Sequence, residues 1–241
     1  MLAGEGVTYL HHGGDGIRNV NITVRPGEIV ALVGMNGAGK TTLLRLLLGM
    51  LRAQAGIVQV FEQHIATLPR AVWARVGHLI EAPLAYPELT TRENLRAAAR
   101  LHHADPDHVV DTALSQWKLD TFSQRRFRHL SLGNRQRVGL AAALQHGPEL
   151  VILDEPRSAL DPAAVLTLRE MLMQRAAEGA AVLVSSHHLD EVARIANRIL
   201  VMNAGQLIGT LDPDGVDLER AFFETVRRDD AEHNTPHQEA S

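Results

Sequence analysis

The sequence contains no cysteine. That excludes a disulfide framework and any cysteine-ligated metal centre. No apolar run approaches the roughly 20 residues that a helix needs to cross a bilayer. The start, Met1 to Gly16, is rich in Gly and His and lacks the basic-then-apolar order of a secretory signal. The expectation is a cytoplasmic protein, with any membrane segment supplied by another chain. Excess positive charge is also missing. The net charge is −4, which gives no broad polyanion-binding surface. Lysine itself is scarce. Of 24 basic residues, all but Lys40 and Lys118 are arginines. A chain so biased towards Arg still places Lys at 40, where a compact ammonium fits a tight backbone loop and a forked guanidinium does not.

What is present is an ordinary globular composition, 45% apolar and 22% charged over 241 residues. That suffices for one sizeable domain, or one core with a subdomain inserted. Ile29-Val30-Ala31-Leu32-Val33 reads as a buried strand. Gly34, Met35, Asn36, Gly37, Ala38, Gly39, Lys40 and Thr41 then match G-x-x-x-x-G-K-[ST], and Thr42 follows. The leucine-rich stretch after Thr41 reads as a helix ending near Gly49. Strand, glycine loop and helix are the context in which this motif binds nucleotide phosphates. Backbone N–H groups converge on phosphate oxygens, and the helix N-terminus adds its partial positive charge. Lys40 reaches the β- and γ-phosphates of ATP, and Thr41 offers its hydroxyl oxygen to Mg²⁺.

A phosphate loop needs a carboxylate for the metal. Leu150 to Leu153 is a second buried run, with Asp154 and Glu155 at its carboxyl end. That end of an open α/β sheet is where ligands bind. Asp154 is expected to hold Mg²⁺ through water, and Glu155 to polarise the attacking water. A third run, Ala181 to Val184, leads through Ser185-Ser186 into His187, placed to hydrogen-bond the γ-phosphate or that water.

The stretch "HLSLGNRQRVGLAAAL", residues 129 to 144, settles the class. Leu130-Ser131-Leu132-Gly133-Asn134 resembles the signature motif of ATP-binding cassette (ABC) proteins, where the family has Leu-Ser-Gly-Gly-Gln. The phosphate loop, "LVILDEP", "SALDP" at 158–162 and "SSHH" at 185–188 fall in the family's order. The resemblance runs from about Val7 to Phe223. It implies an α/β P-loop NTPase fold: a RecA-like parallel-sheet core, an antiparallel β subdomain and an inserted helical subdomain at about 83–146. The ATP-binding domain is expected to occupy 1–226, with a polar, disordered tail at 227–241.

The resemblance also assigns roles. Ser131 and Gly133 open a second anion-binding helix N-terminus. In the family it caps the γ-phosphate bound to the other subunit of a head-to-tail dimer. Asp161 lies along that interface. Adenine stacks on an aromatic residue upstream of the loop; the match falls on His11, with Tyr9 as the rival. Where most members carry a Gln that reaches Mg²⁺ or the attacking water, this chain has Glu81, as do ATPases resembling bacitracin-resistance and lantibiotic-immunity exporters. Leu132, Asn134, Arg157 and Ala159 also depart from the usual pattern. The implied protein is the ATP-hydrolysing subunit of an exporter of antibiotic peptides or related amphiphiles. It pairs with a second copy or related subunit and works against a separate permease on the inner face of the membrane, with no nucleic-acid partner. The alternatives are a soluble ABC ATPase acting on nucleic acid or the ribosome, to which the arginines at 125, 126, 128, 135 and 137 speak, and a regulatory module with little turnover.

Overall fold

The computed structural model describes residues 1–233. The strands in chain order are β1 (Leu2–Leu10), β2 (Gly16–Val24), β3 (Ile29–Val33), β4 (Ala55–Val60), β5 (Gln63–His64), β6 (Val76–Leu79), β7 (Leu150–Leu153), β8 (Ala181–Ser186), β9 (Arg198–Asn203) and β10 (Gln206–Leu211). The α-helices are α1 (Lys40–Leu47), α2 (Arg70–Trp73), α3 (Thr91–Leu101), α4 (Pro106–Gln116), α5 (Leu132–Leu144), α6 (Pro162–Ala177), α7 (Leu189–Val192) and α8 (Leu218–His233).

Two sheets form. One is antiparallel, in the order β2-β1-β4-β5. The other runs β10-β9-β3-β8-β7-β6 and is parallel except for the β9–β10 hairpin. The apolar runs read from sequence are its central strands, buried along their whole length. Burial on both faces is why they show no alternation with polar residues. Leu150, Ile152 and Leu183 face a core shared with α1 and the antiparallel sheet. Val151, Leu153, Val182 and Val184 face the other side, against α3, α4, α5 and α6.

Local chemistry sets the helix starts. Thr90 and Glu93 form a reciprocal capping box at α3. The Thr90 N–H and hydroxyl hold the Glu93 carboxyl below its ordinary range. Asp105 caps α4 ahead of Pro106, and Asp161 caps α6 ahead of Pro162. The expected disordered tail is corrected in part: residues 227–233 continue α8. Helix α8 is held by the buried Phe222 and Val226 and by the Asn203 amide, which donates to Asp229 and Asp230, each at 2.8 Å. Residues 234–241 lie outside the described residues.

Helix α5 rests directly on the sheet at Gly77 of β6. A Cβ there would stand 2.1 Å from the Ala143 carbonyl oxygen and 2.7 Å from Pro148. Gly77→Ala should therefore push α5 off the strand and destabilise the fold by about 1–3 kcal/mol, measurable by urea denaturation.

A histidine cluster marks the same junction. His102 follows α3, His146 follows α5, and their rings stack at 3.8 Å. Burial, then the charge of His102, lowers the His146 pKa to about 3; burial also lowers His102 and His78 of β6. In the unfolded chain these rings take a proton near pH 6.5. Their contribution to stability is thus full above that pH and is lost as pH falls below it, for His146 down to about 3. His146 alone should steepen this limb by up to ~1.4 kcal/mol per pH unit. Stability curves between pH 7 and 4 should flatten in His146→Leu.

Candidate functional site

The carboxyl ends of β3, β8 and β7 lie side by side, and each delivers part of the site. From β3 comes the 34–39 loop. Its first residue passes the backbone of β9 so closely that a Cβ on Gly34 would meet the Met202 carbonyl oxygen at 2.4 Å. Gly39 ends the loop at φ +104, a conformation that favours glycine, and no side chain caps α1. Neither is there an acid in the first turn to compete with a bound anion. Met35, Asn36 and Gly37 are exposed at the loop's tip, and Ala38 is buried behind it. The buried Lys40 ammonium donates to the Gly34 carbonyl at 2.8 Å and the Met35 carbonyl at 3.4 Å.

From β7 come the acids. The Thr41 hydroxyl donates to Asp154 Oδ2 at 2.7 Å. The Ser185 hydroxyl donates to Asp154 Oδ1 at 2.5 Å and accepts the Glu155 N–H at 2.9 Å. Glu155 sits at φ +44, an uncommon conformation for a side-chain-bearing residue. One of its oxygens lies 3.5 Å from the Lys40 ammonium, the other 2.8 Å from His187 Nδ1. Phosphate loop, both acids and His187 thus form one connected network. Thr41 and Asp154 present hard oxygen donors side by side, which fits Mg²⁺ shared with nucleotide phosphates.

Ser131 and Gly133 form a second group at the start of α5. Ser131 Oγ accepts the Asn134 N–H at 3.3 Å and so caps the helix. Gly133 lies against the 158–162 segment, where a Cβ would stand 2.7 Å from the Ala159 carbonyl oxygen. The Gln136 amide reaches the Pro156 carbonyl at 2.9 Å and ties α5 to the acid turn. Arg137 pairs with Asp161. The Ala164 N–H, then that guanidinium, hold the Asp161 carboxyl below its ordinary range.

Residues 17–158 match the family model described as ABC transporter. The chain belongs to the ABC transporter family. It is an ATP-binding domain and ATPase of that family, and its fold is the ABC form of the P-loop NTPases. It is 36% identical to the uncharacterized ABC transporter ATP-binding protein YdbJ of Bacillus subtilis, over 89% of this chain and 71% of that protein. It is 32% identical to the bacitracin transport ATP-binding protein BcrA of Bacillus licheniformis, over 84% of this chain and 66% of that protein. The lantibiotic transport ATP-binding protein SrtF of Streptococcus pyogenes is also 32% identical, over 86% of this chain and 89% of that one. Among solved structures, an ATP-binding subunit of an ABC transporter superposes with TM-score 0.84 at 27% identity, covering 94% of both chains. The cassette MJ0796, a dimer bound to ADP and Pi, shares the fold with TM-score 0.80 at 24% identity, covering 89% of this chain and 100% of that one. Among the described residues no helix is long and apolar enough to cross a membrane.

The other residues that an ABC ATPase implies are placed less uniformly. His11 is exposed just past β1, and the half-buried Tyr9 meets its ring edge-on at 4.9 Å. Glu81 stands beyond β6 at φ +61, and its carboxylate pairs with Arg45 of α1. The hydrogen bonds and ion pairs of the acid network do not include it. Thr42 is half-buried in the first turn of α1. Sequence reasoning missed Ser185 and Gln136 as structural parts of the site. The signal for Ser185 was a hydroxyl at the end of an otherwise apolar strand. Ser185→Ala should strand the Glu155 N–H and one oxygen of Asp154 in a buried place. A loss of about 1–3 kcal/mol in chemical denaturation is expected, together with reduced ATP turnover.

Proposed function

We propose that two copies of the chain, or one with a related subunit, close head to tail on two molecules of ATP. Each nucleotide lies between residues 34–42 of one copy and Ser131 and Gly133 of the other, with Asp161 along the shared interface. The observation that carries this reading is the Thr41–Asp154 and Glu155–His187 network at three adjacent strand ends. Lys40 exchanges its loop carbonyls for the β- and γ-phosphate oxygens. Thr41 and Asp154 would hold Mg²⁺, which would supply positive charge beside the phosphates. Glu155 draws a proton from the attacking water, and His187 orients Glu155 and the γ-phosphate. His11 stacks on adenine. Glu81 would have to leave Arg45 to join the metal side of the site. The start of α5 suits an anion, and in this reading the phosphate it meets is the one bound by a partner copy.

The work driven is transport through a separate permease, which brings the chain to the inner face of the membrane. The relatives named for bacitracin and lantibiotic transport favour export of a peptide antibiotic or similar amphiphile. The arginines at 126, 128 and 137 are paired with Glu88, Glu88 and Asp161, which disfavours a nucleic-acid face there.

Glu155→Gln should bind ATP, lose about 10²–10⁴-fold in turnover and accumulate as an ATP-bound dimer in light scattering. Adding Ser131→Arg to that variant should leave ATP binding intact and abolish the dimer. A double variant that still dimerises would remove Ser131 from the interface.

A further inference from the structure

Residue 157 follows Asp154-Glu155-Pro156, and here it is an arginine. Its guanidinium pairs with Glu191 on α7. Arg157 lies just past Glu155, and Glu191 lies just past His187. The Arg157–Glu191 pair and the 2.8 Å Glu155–His187 contact therefore cross between the same two segments as parallel rungs.

The two segments differ in rigidity. The acid turn is firmly held. The Ser158 N–H donates to the Glu155 carbonyl at 3.1 Å, the Leu160 N–H to the Arg157 carbonyl at 2.9 Å, and Gln136 to the Pro156 carbonyl. The histidine segment is held mainly through α7. Strand β8 ends at Ser186, so His187 stands beyond the last residue in register. Helix α7 is a single turn, Leu189–Val192, with no side-chain cap at His188. One isolated turn has little stability of its own. Its ties are the Ser186 hydroxyl, which accepts the His188 N–H at 2.9 Å, the buried Val192 with Leu189, Ala193 and Ala196 packed on the same core, and the Ala196 N–H, which donates to the Val192 carbonyl at 2.8 Å. Arg157 and Glu191 both line two neighbouring clefts. One lies against Leu168 of α6, the other against Phe222 of α8 beside His187.

We infer that Arg157 is a positioning residue that, through Glu191 and α7, holds the His187 imidazole on Glu155. This rests on the roles proposed above for Glu155 and His187. An uncharged side chain at this place has no charge with which to form the second rung.

The test measures ATPase kinetics on the purified full chain. Arg157→Thr and Glu191→Gln should each lower kcat about five-fold, the order expected of a part-exposed ion pair, with KM for ATP within about two-fold of the wild type. The double variant should be no slower than either single one, because both remove the same contact. Long-range ¹H–¹⁵N spectra should show the His187 ring nitrogens moving towards solvent-like shifts in each variant. If Arg157→Thr does not fold, Glu191→Gln carries the same comparison, since it removes only the charge. Unchanged kcat in the folded variants would overturn the inference, as would a lower kcat with unmoved His187 signals. Wild-type turnover in His187→Ala is a separate failure: it would overturn the role of His187 itself.

Discussion

The parallel register of β3, β8 and β7 is the constraint on which the site depends. Leu32 pairs with Ser185, Val33 with Ser186, and Leu153 with Val184. With that alignment the phosphate loop, Asp154 and Ser185 emerge at one sheet edge. The hydroxyls of Thr41 and Ser185 then close on the two oxygens of Asp154. A slip of one residue would turn Ser185 to the opposite face, because side chains alternate along a strand. Asp154 would then be buried with half its partners gone, at a cost larger than a typical net hydrogen bond.

Charge balance follows from the same placement. Two acids stand together at the end of β7, and the compensating charge comes from Lys40 and the uncapped start of α1. The Gly34 carbonyl and Glu155 both lie against the Lys40 ammonium. Helix α5 is bound into this frame from two sides. Its far end lies against β6 at Gly77, and Gln136 ties its first half to the acid turn. Movement of α5 is thus mechanically connected to the backbone that carries Glu155.

Much of this was legible because the chemistry is local. A glycine loop after an apolar run, acids at a strand end, and a Ser or Asp before a helix each carry their own structural consequence. The phosphate loop, Asp154, Glu155, His187 and the helix start at Ser131 were all readable in this way. The tail was less so. Residues 227–233 look solvated in sequence, yet Val226 and the Asn203 anchor keep them in α8. Glu81 was legible as a departure from the family pattern, but its pairing with Arg45 was not, since the two stand far apart in the chain. Arg157 had no account from sequence for the same reason: its partner Glu191 is on another segment.

The sequence by itself determined which elements form and which groups can bind phosphate, because glycine freedom, capping and apolar runs act over a few residues. Only the tertiary structure decided which of those groups meet. Ser185 between Asp154 and Glu155, Gln136 on Pro156, Arg137 on Asp161 and Arg157 on Glu191 are contacts between segments remote in the chain. Sheet order and register place such contacts, and these are properties of the whole packed core that no single stretch of sequence encodes.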